Sequence, residues 1–239
     1  MLKRVCLVRR RPGLSLAQFQ SQWLDRRGAM ELRAFNSGSM LKIVVSFSTG
    51  EVVLGGTEAP FDAMVAGYFD GEEDARAGGF DPIAAMIRDD LGTLVEVSRA
   101  AEGITAEEHL MAERPDAARL LHKAGQLKVV RIVYRRRDLT SAQFKEYWLQ
   151  NHSRLKGNAI GSPGVQRIVA SFAIPEAGRN PGFDGMVEIY FDSIENVRAM
   201  FGGNVPNIMR RDEENFVQMD APALRVVTEE YVIAEKRRT

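Results

Sequence analysis

The chain has 239 residues, 45% of them hydrophobic and 27% charged, which is enough apolar surface for a sizeable core. Lys+Arg and Asp+Glu both number 32, so nothing in the charge balance attracts nucleic acid or an anionic membrane. Cys6 is the only cysteine, which excludes an intramolecular disulfide and a cysteine metal cluster.

The N-terminus, Lys3–Arg9, is too short an apolar run for a signal peptide, and nothing approaches a membrane span, so the chain reads as cytoplasmic. That first segment is of strand type and closes in the basic cluster Arg9-Arg10-Arg11, a solvated strand end before a turn. A short helix carries Phe19 and Trp23, a second strand carries Ile43-Val44 and Ser46-Phe47, and a third passes Tyr68-Phe69. A weaker fourth strand is expected around Glu108–Ala112, and Arg114–Gln126 forms a link. Strand periodicity resumes at Val129–Tyr134, ending in Arg135-Arg136-Arg137 and the turn Asp138-Leu139-Thr140. Thr140 or Ser141 caps the helix Ala142–His152, whose Phe144 and Trp148 face the sheet. Gly161-Ser162-Pro163-Gly164 breaks the chain before strands at Val165–Ile174 and Phe183–Phe191. Ser193 caps a helix through Met200, Gly202-Gly203 interrupts it, helix resumes over Pro206–Val217, and Arg225–Ala234 is the last strand.

This layout occurs twice. Leu2–Arg27 aligns without a gap on Leu127–His152 at an offset of 125, with 12 of 26 positions identical. The register then slips to 122, so that Phe61-Asp62 and Tyr68-Phe69-Asp70 meet Phe183-Asp184 and Tyr190-Phe191-Asp192, and Glu107-Glu108 meet Glu229-Glu230. Internal repetition of this kind decides the architecture. It predicts an α+β chain of two ferredoxin-like βαββαβ repeats, residues 1–118 and 119–239. A four-stranded sheet with helices on one face needs its other face covered. Two sheets packed face to face would bury both open faces, forming an intramolecular dimeric α/β barrel, a pseudo-dimer open to further homo-oligomerisation. Arg131 and Glu188 sit mid-strand among apolar residues, with Cys6 and Ala66 at their counterparts.

The string Tyr134-Arg135-Arg136-Arg137-Asp138-Leu139-Thr140, followed by Gln143-Phe144, Tyr147-Trp148 and His152, resembles the EthD-like family of the dimeric α/β-barrel superfamily. Arg9-Arg10-Arg11-Pro12-Gly13-Leu14-Ser15 with Phe19 and Trp23 is similar to the same pattern. The resemblance implies a ligand pocket between the sheet and the helices of each unit. It also implies a cofactor-independent enzyme for aromatic or polyketide-like compounds, acting by decarboxylation, dehydration or cyclisation, or an accessory protein of a degradation pathway. Haem-binding relatives exist in the wider superfamily.

His152 lies one helical turn beyond Trp148, near a helix C-terminus. An imidazole can take and return a proton at physiological pH, and a phenol can donate to a developing oxyanion. Tyr134 shares the strand parity of Val130 and Ile132, taken as the helix-facing side, so His152 and Tyr134 are expected together at the pocket. A histidine at a helix end can equally complement the dipole. The first copy has Arg27 and Arg9 at these places, and arginine cannot shuttle protons, so that half reads as scaffold or as a carboxylate holder. Trp148, Ile132, Met200, Asn204 and Asn207 are candidate substrate-binding residues, although Trp148 also suits a core, Met200 gap-filling and the two asparagines a turn. Asp212 recurs as Asp90, which argues for a structural helix role. His109, His122 and His152 are the only histidines and lie in different elements, so no metal site is expected, nor any cofactor. A nucleotide site is not expected either, because no Gly-rich loop joins a strand to a helix. These residues favour a lyase or isomerase for a small hydrophobic, oxygenated molecule, with His152 as acid–base. The competing reading is a binding protein that sequesters such a molecule.

Overall fold

A computed structural model describes residues 1–26, 40–51, 59, 61–71, 89, 92–96, 104–117, 124–176, 182–221 and 224–236. Eight strands form the sheet: β1 (Leu2–Val8), β2 (Met40–Ser48), β3 (Ala63–Phe69), β4 (Ile104–Glu113), β5 (Gln126–Val133), β6 (Val165–Ala173), β7 (Gly185–Phe191) and β8 (Leu224–Glu235). They close into one antiparallel barrel in the order β1-β3-β2-β8-β5-β7-β6-β4. The first four strands are contiguous in that order, as are the last four. The halves meet at two seams, β2 on β8 and β4 on β6. The expected face-to-face sheets are thus a single closed sheet, which removes the exposed edges that two separate sheets would leave. The fourth strand is longer than expected, because it must reach across its seam from Ala106 to Glu113.

The described helices lie outside the barrel: α1 (Leu16–Leu24), α2 (Ser141–Gln150), α3 (Lys156–Ile160), α4 (Ile194–Gly202) and α5 (Val205–Glu213). A 3₁₀ turn, His152–Leu155, joins α2 to α3. No described helix is long and apolar enough to cross a membrane.

The repeat is visible in the local chemistry. Ser15 and Gln18 form a capping box at α1, and Thr140 and Gln143 form the same box at α2. On each helix a Phe and a Trp pack edge-on with a strand Phe: Phe19, Trp23 and Phe47 in one half, Phe144, Trp148 and Phe172 in the other. The lack of a side chain at Gly185 permits this packing, since a Cβ there would stand 3.0 Å from both Phe144 and Trp148. Arg10 and Arg135 do more than end a strand in solvent. Each pairs with the aspartate before the third strand of its half, Asp62 or Asp184, and donates to the carbonyl of Leu14 or Leu139 in the turn.

Strand alternation places Lys3, Lys128, Val130, Ile132, Glu188 and Glu230 inside the barrel, whereas Val129, Arg131, Val133, Val187 and Val227 face the helices. The interior holds a buried chain of charges, Glu108–Lys3–Glu188–Lys128–Glu230. Lys3 Nζ is 2.9 Å from Glu108 and also bonds Glu188, while Lys128 Nζ is 2.6 Å from Glu188 and also bonds Glu230. Burial pushes the Glu188 carboxyl up, but Lys128 and Lys3 outweigh it and hold the group well below its ordinary value. Burial lowers Lys128 and Lys3, yet their carboxylates raise both above the ordinary value.

A carboxylate depressed in the folded state stabilises the barrel above its unfolded value and loses that contribution as pH falls through the folded one. The raised lysines lose theirs only as pH climbs above 10.5. Replacing Glu188 by Gln leaves two buried ammoniums sharing too little negative charge, at a cost of about 3–5 kcal/mol. Urea unfolding should show this gap in full at pH 7, and the gap should narrow as the pH falls below 4.5, the ordinary value for this carboxyl. A Glu188→Gln protein as stable as the parent at pH 7 would remove the ion chain from its place in the fold.

Candidate active site

A cavity of about 90 Å³ lies between the outer face of β5–β8 and the layer formed by α2, the 3₁₀ turn, α3, α4 and α5. The cavity is small, on the scale of a single substituted ring. Val129, Ile168, Val187, Ile189 and Phe201 supply apolar wall, Arg131, Lys156, Glu213 and Arg225 supply the charge, and His152 adds an imidazole. The pocket expected between sheet and helices is present in the second half.

His152 opens the 3₁₀ turn where α2 ends, because Asn151 caps the helix and the backbone tightens there. Its ring packs against Trp148 and Phe216, with centroids 5.7 and 5.0 Å away. Nδ1 is 2.8 Å from Asp212 Oδ2. Asp212 accepts on that side, so Nδ1 carries a proton and Nε2 is the ring nitrogen without a hydrogen-bond partner among the described residues. Tyr147 donates to the other oxygen, Asp212 Oδ1, at 3.0 Å, and its phenol is raised by burial and by that bond. Asp212 thus orients the imidazole and would stabilise an imidazolium, the arrangement that a proton shuttle needs.

Glu213, next to Asp212 on α5, points to the sheet and grips the Arg131 guanidinium with both oxygens, one at 2.6 Å. Carboxylates are disfavoured at a helix C-terminus, so both depend on their partners, although Arg210 and Arg211 in the same turn ease the strain. Arg225 stands directly opposite Arg131 on β8. Burial and the nearby Arg131 charge push it down to about 10.

Of the residues expected at the site, His152, Trp148 and Met200 line this cavity together. Tyr134 does not join them. Its strand parity is that of the barrel interior, so it packs with the interior cluster and lines a separate, smaller recess. Burial and Asp184 raise its phenol. Ile132 is buried on the same interior face and likewise does not line the cavity. Asn204 and Asn207 are exposed and line no described cavity; Asn204 precedes α5, where its carbonyl accepts from the amides of Asn207 and Ile208. Arg27, Asp90 and the second-helix region of the first half fall outside the described residues.

The residues not foreseen are Asp212 and Tyr147 as partners of His152, and Arg131, Glu213 and Arg225. At the repeat offsets, Arg131, Glu213 and Arg225 align with Cys6, Leu91 and Gly103. A comparison of the two copies for charge present in one alone would have found all three.

The family resemblance of the sequence, with haem-binding relatives in the wider superfamily, raises the question of a haem here. The residues do not fit one, because a macrocycle needs room on the scale of several hundred Å3 and the cavity offers about 90 Å³. No group of three or more His, Cys, Asp or Glu among the described residues could hold a metal ion. The protein should therefore show no Soret band after incubation with hemin and desalting, and its melting temperature should not change in a chelator. A stoichiometric Soret band would overturn this.

No curated protein sequence matches the chain. Among solved structures, an anthrone oxidase-like protein is similar with a TM-score of 0.60 at 9% identity, over 97% of this chain and 92% of that one. Chlorite dismutase from Candidatus Nitrospira defluvii, in complex with imidazole, is similar with a TM-score of 0.55 at 9% identity, over 97% and 91%. At such identities the likeness concerns the barrel fold alone. The EthD domain matches residues 136–220, the stretch that contains α2, His152, Asp212 and Glu213. Residues 136–220, in the second half of the closed antiparallel α+β barrel, are thus similar to an EthD domain.

Proposed function

We propose that this cavity is an active site for general acid–base chemistry on a small, largely apolar, oxygenated molecule, with single-ring aromatic compounds as the best fit to its size. The reaction is of the lyase or isomerase type: decarboxylation, dehydration or cyclisation through proton transfer. The observation that carries this is the His152–Asp212 pair at the wall of an apolar cavity, with Nε2 as the ring nitrogen left to exchange a proton. The description of one fold relative as anthrone oxidase-like accords with an aromatic substrate class, at the level of fold only.

In this reading, residues 119–239 form the working ferredoxin-like repeat and residues 1–118 a scaffold repeat that completes the barrel. His152 takes the proton, Asp212 holds the imidazole and stabilises its charged form, and Tyr147 fixes Asp212. Charge developing on the substrate is met by the guanidiniums of the cavity, the task first expected of Tyr134.

Deuterium uptake from D2O, followed by proton NMR across a panel of small enolisable aromatic ketones and keto acids, tests the proposal. Exchange catalysed by the protein should fall by about 10²–10⁴ in His152→Ala. Asp212→Asn should lose at least about tenfold, because it disturbs tautomer and charge together. Tyr134→Phe should stay within about tenfold of the parent, since that ring lies on the other face of the strand. Undiminished exchange in His152→Ala would end the acid–base assignment. Tight binding of panel members with no exchange by the parent protein would favour a sequestering protein instead.

A further inference from the structure

The charges in this cavity do not balance. Arg131 and Arg225 face each other across β5 and β8, both on the helix-facing side. Like charges directly opposite on neighbouring strands destabilise a sheet. One carboxylate reaches them, Glu213, and Arg131 engages both of its oxygens. Arg225 makes no hydrogen bond or ion pair with any described residue, and its Nε is buried without a partner. Arg225 is half-buried: its Nε is shut off from water without a partner, which costs stability, while its terminal nitrogens stay accessible. The first half has no such arrangement in its sequence, where Cys6, Leu91 and Gly103 stand at the aligned positions. The unpaired guanidinium therefore belongs to what the second half does, not to how a half folds.

We propose that Arg225 is the receptor for a carboxylate of the ligand, so that the substrate class is a small apolar carboxylic acid of about one ring. This rests on reading the cavity as the active site and narrows its substrate. Two guanidiniums and Lys156 against one glutamate leave the lining net positive, which suits an anionic ligand. The planar fork of a guanidinium matches the two oxygens of a carboxylate. The apolar walls of Val129, Ile168, Val187, Ile189 and Phe201 suit the remainder of such a molecule. Exposed Lys156, which also lines the cavity, adds attraction for an anion on approach. An ion pair with Arg225 stabilises the carboxylate in the ground state, so losing it as carbon dioxide would first have to undo that pairing. The carboxylate is thus an anchor retained in the product, which favours dehydration, isomerisation or cyclisation over decarboxylation.

The test uses the full chain and benzoate, with benzamide as the neutral analogue and inorganic phosphate as a plain anion, read by the fluorescence of Trp148 in a Trp23→Phe background and by melting temperature. Benzoate should bind saturably and raise the melting temperature, and benzamide should bind about 10- to 100-fold more weakly, the range for loss of a charge-assisted hydrogen bond. Arg225→Met should lose benzoate binding by a similar factor, Arg225→Lys should keep part of it, and Arg225→Met without ligand should melt at or above the parent temperature. No saturable benzoate binding, equal binding of benzamide, phosphate displacing benzoate at equal concentration, or a clear drop in melting temperature for unliganded Arg225→Met would each overturn the proposal. These readouts do not depend on turnover, so a failure of the His152 assignment would leave them standing.

Discussion

The structure turns on one carboxylate. Glu188 is the residue inside the barrel that accepts from both Lys3 and Lys128, which occupy equivalent places in the two halves. Its own counterpart is Ala66, so one group serves two copies. Each lysine has a second carboxylate, Glu108 or Glu230, from the last strand of its half, and the chain of five charges runs through the interior from one half to the other. A buried ammonium with a single partner is costly, and a chain in which each ammonium has two carboxylates relieves that cost while fixing which faces meet. A one-residue slip of any of these strands would turn its charge outward against the helices. The ion chain therefore sets register, and register sets which residues line the outer cavity.

That dependence explains where the sequence was legible and where it was not. The repeat gave the strand succession, the capping residues Thr140 and Ser193 and the Phe-Trp stripe of each first helix, because those signals are local and periodic. Strand parity in β5 was not local. Lys128 and Arg131 lie on opposite faces of a strand that is otherwise almost wholly apolar, so alternation alone cannot say which face meets the helices. Taking Val130 and Ile132 as helix-facing carried Tyr134 to the wrong side. The recurrence of Lys3 as Lys128 held the answer: a lysine kept at the same place in both copies belongs to the shared barrel, whereas Arg131, present in one copy, belongs to what that copy does differently.

The site shows the same contrast. His152 was legible from its spacing after Trp148. Asp212 was not, because its recurrence as Asp90 pointed to a role in the fold. The structure shows that a residue shared by both copies can still take a special role in one, provided that its partner differs: Asp212 meets His152, where the first copy has Arg27. Glu213, one residue on, meets Arg131 and has Leu91 as its counterpart. The polar lining of the second half's cavity thus arises from changes spread over α2, α5, β5 and β8, each inconspicuous in its own segment.

Helix α5 joins these changes into one device. Successive residues on a helix point about 100° apart, so Asp212 and Glu213 leave the same turn toward different partners, one toward the end of α2 and one toward the sheet. The His152–Asp212 pair and the guanidinium pair are therefore held at a fixed separation by a single rigid element, and a ligand held at Arg225 would lie within the cavity that His152 also lines. An unpaired guanidinium beside Arg131 works against the fold locally. It persists because the aromatic cluster around Trp148 and the ion chain on the far side of the same strands hold β5 and β8 in place irrespective of what the cavity contains.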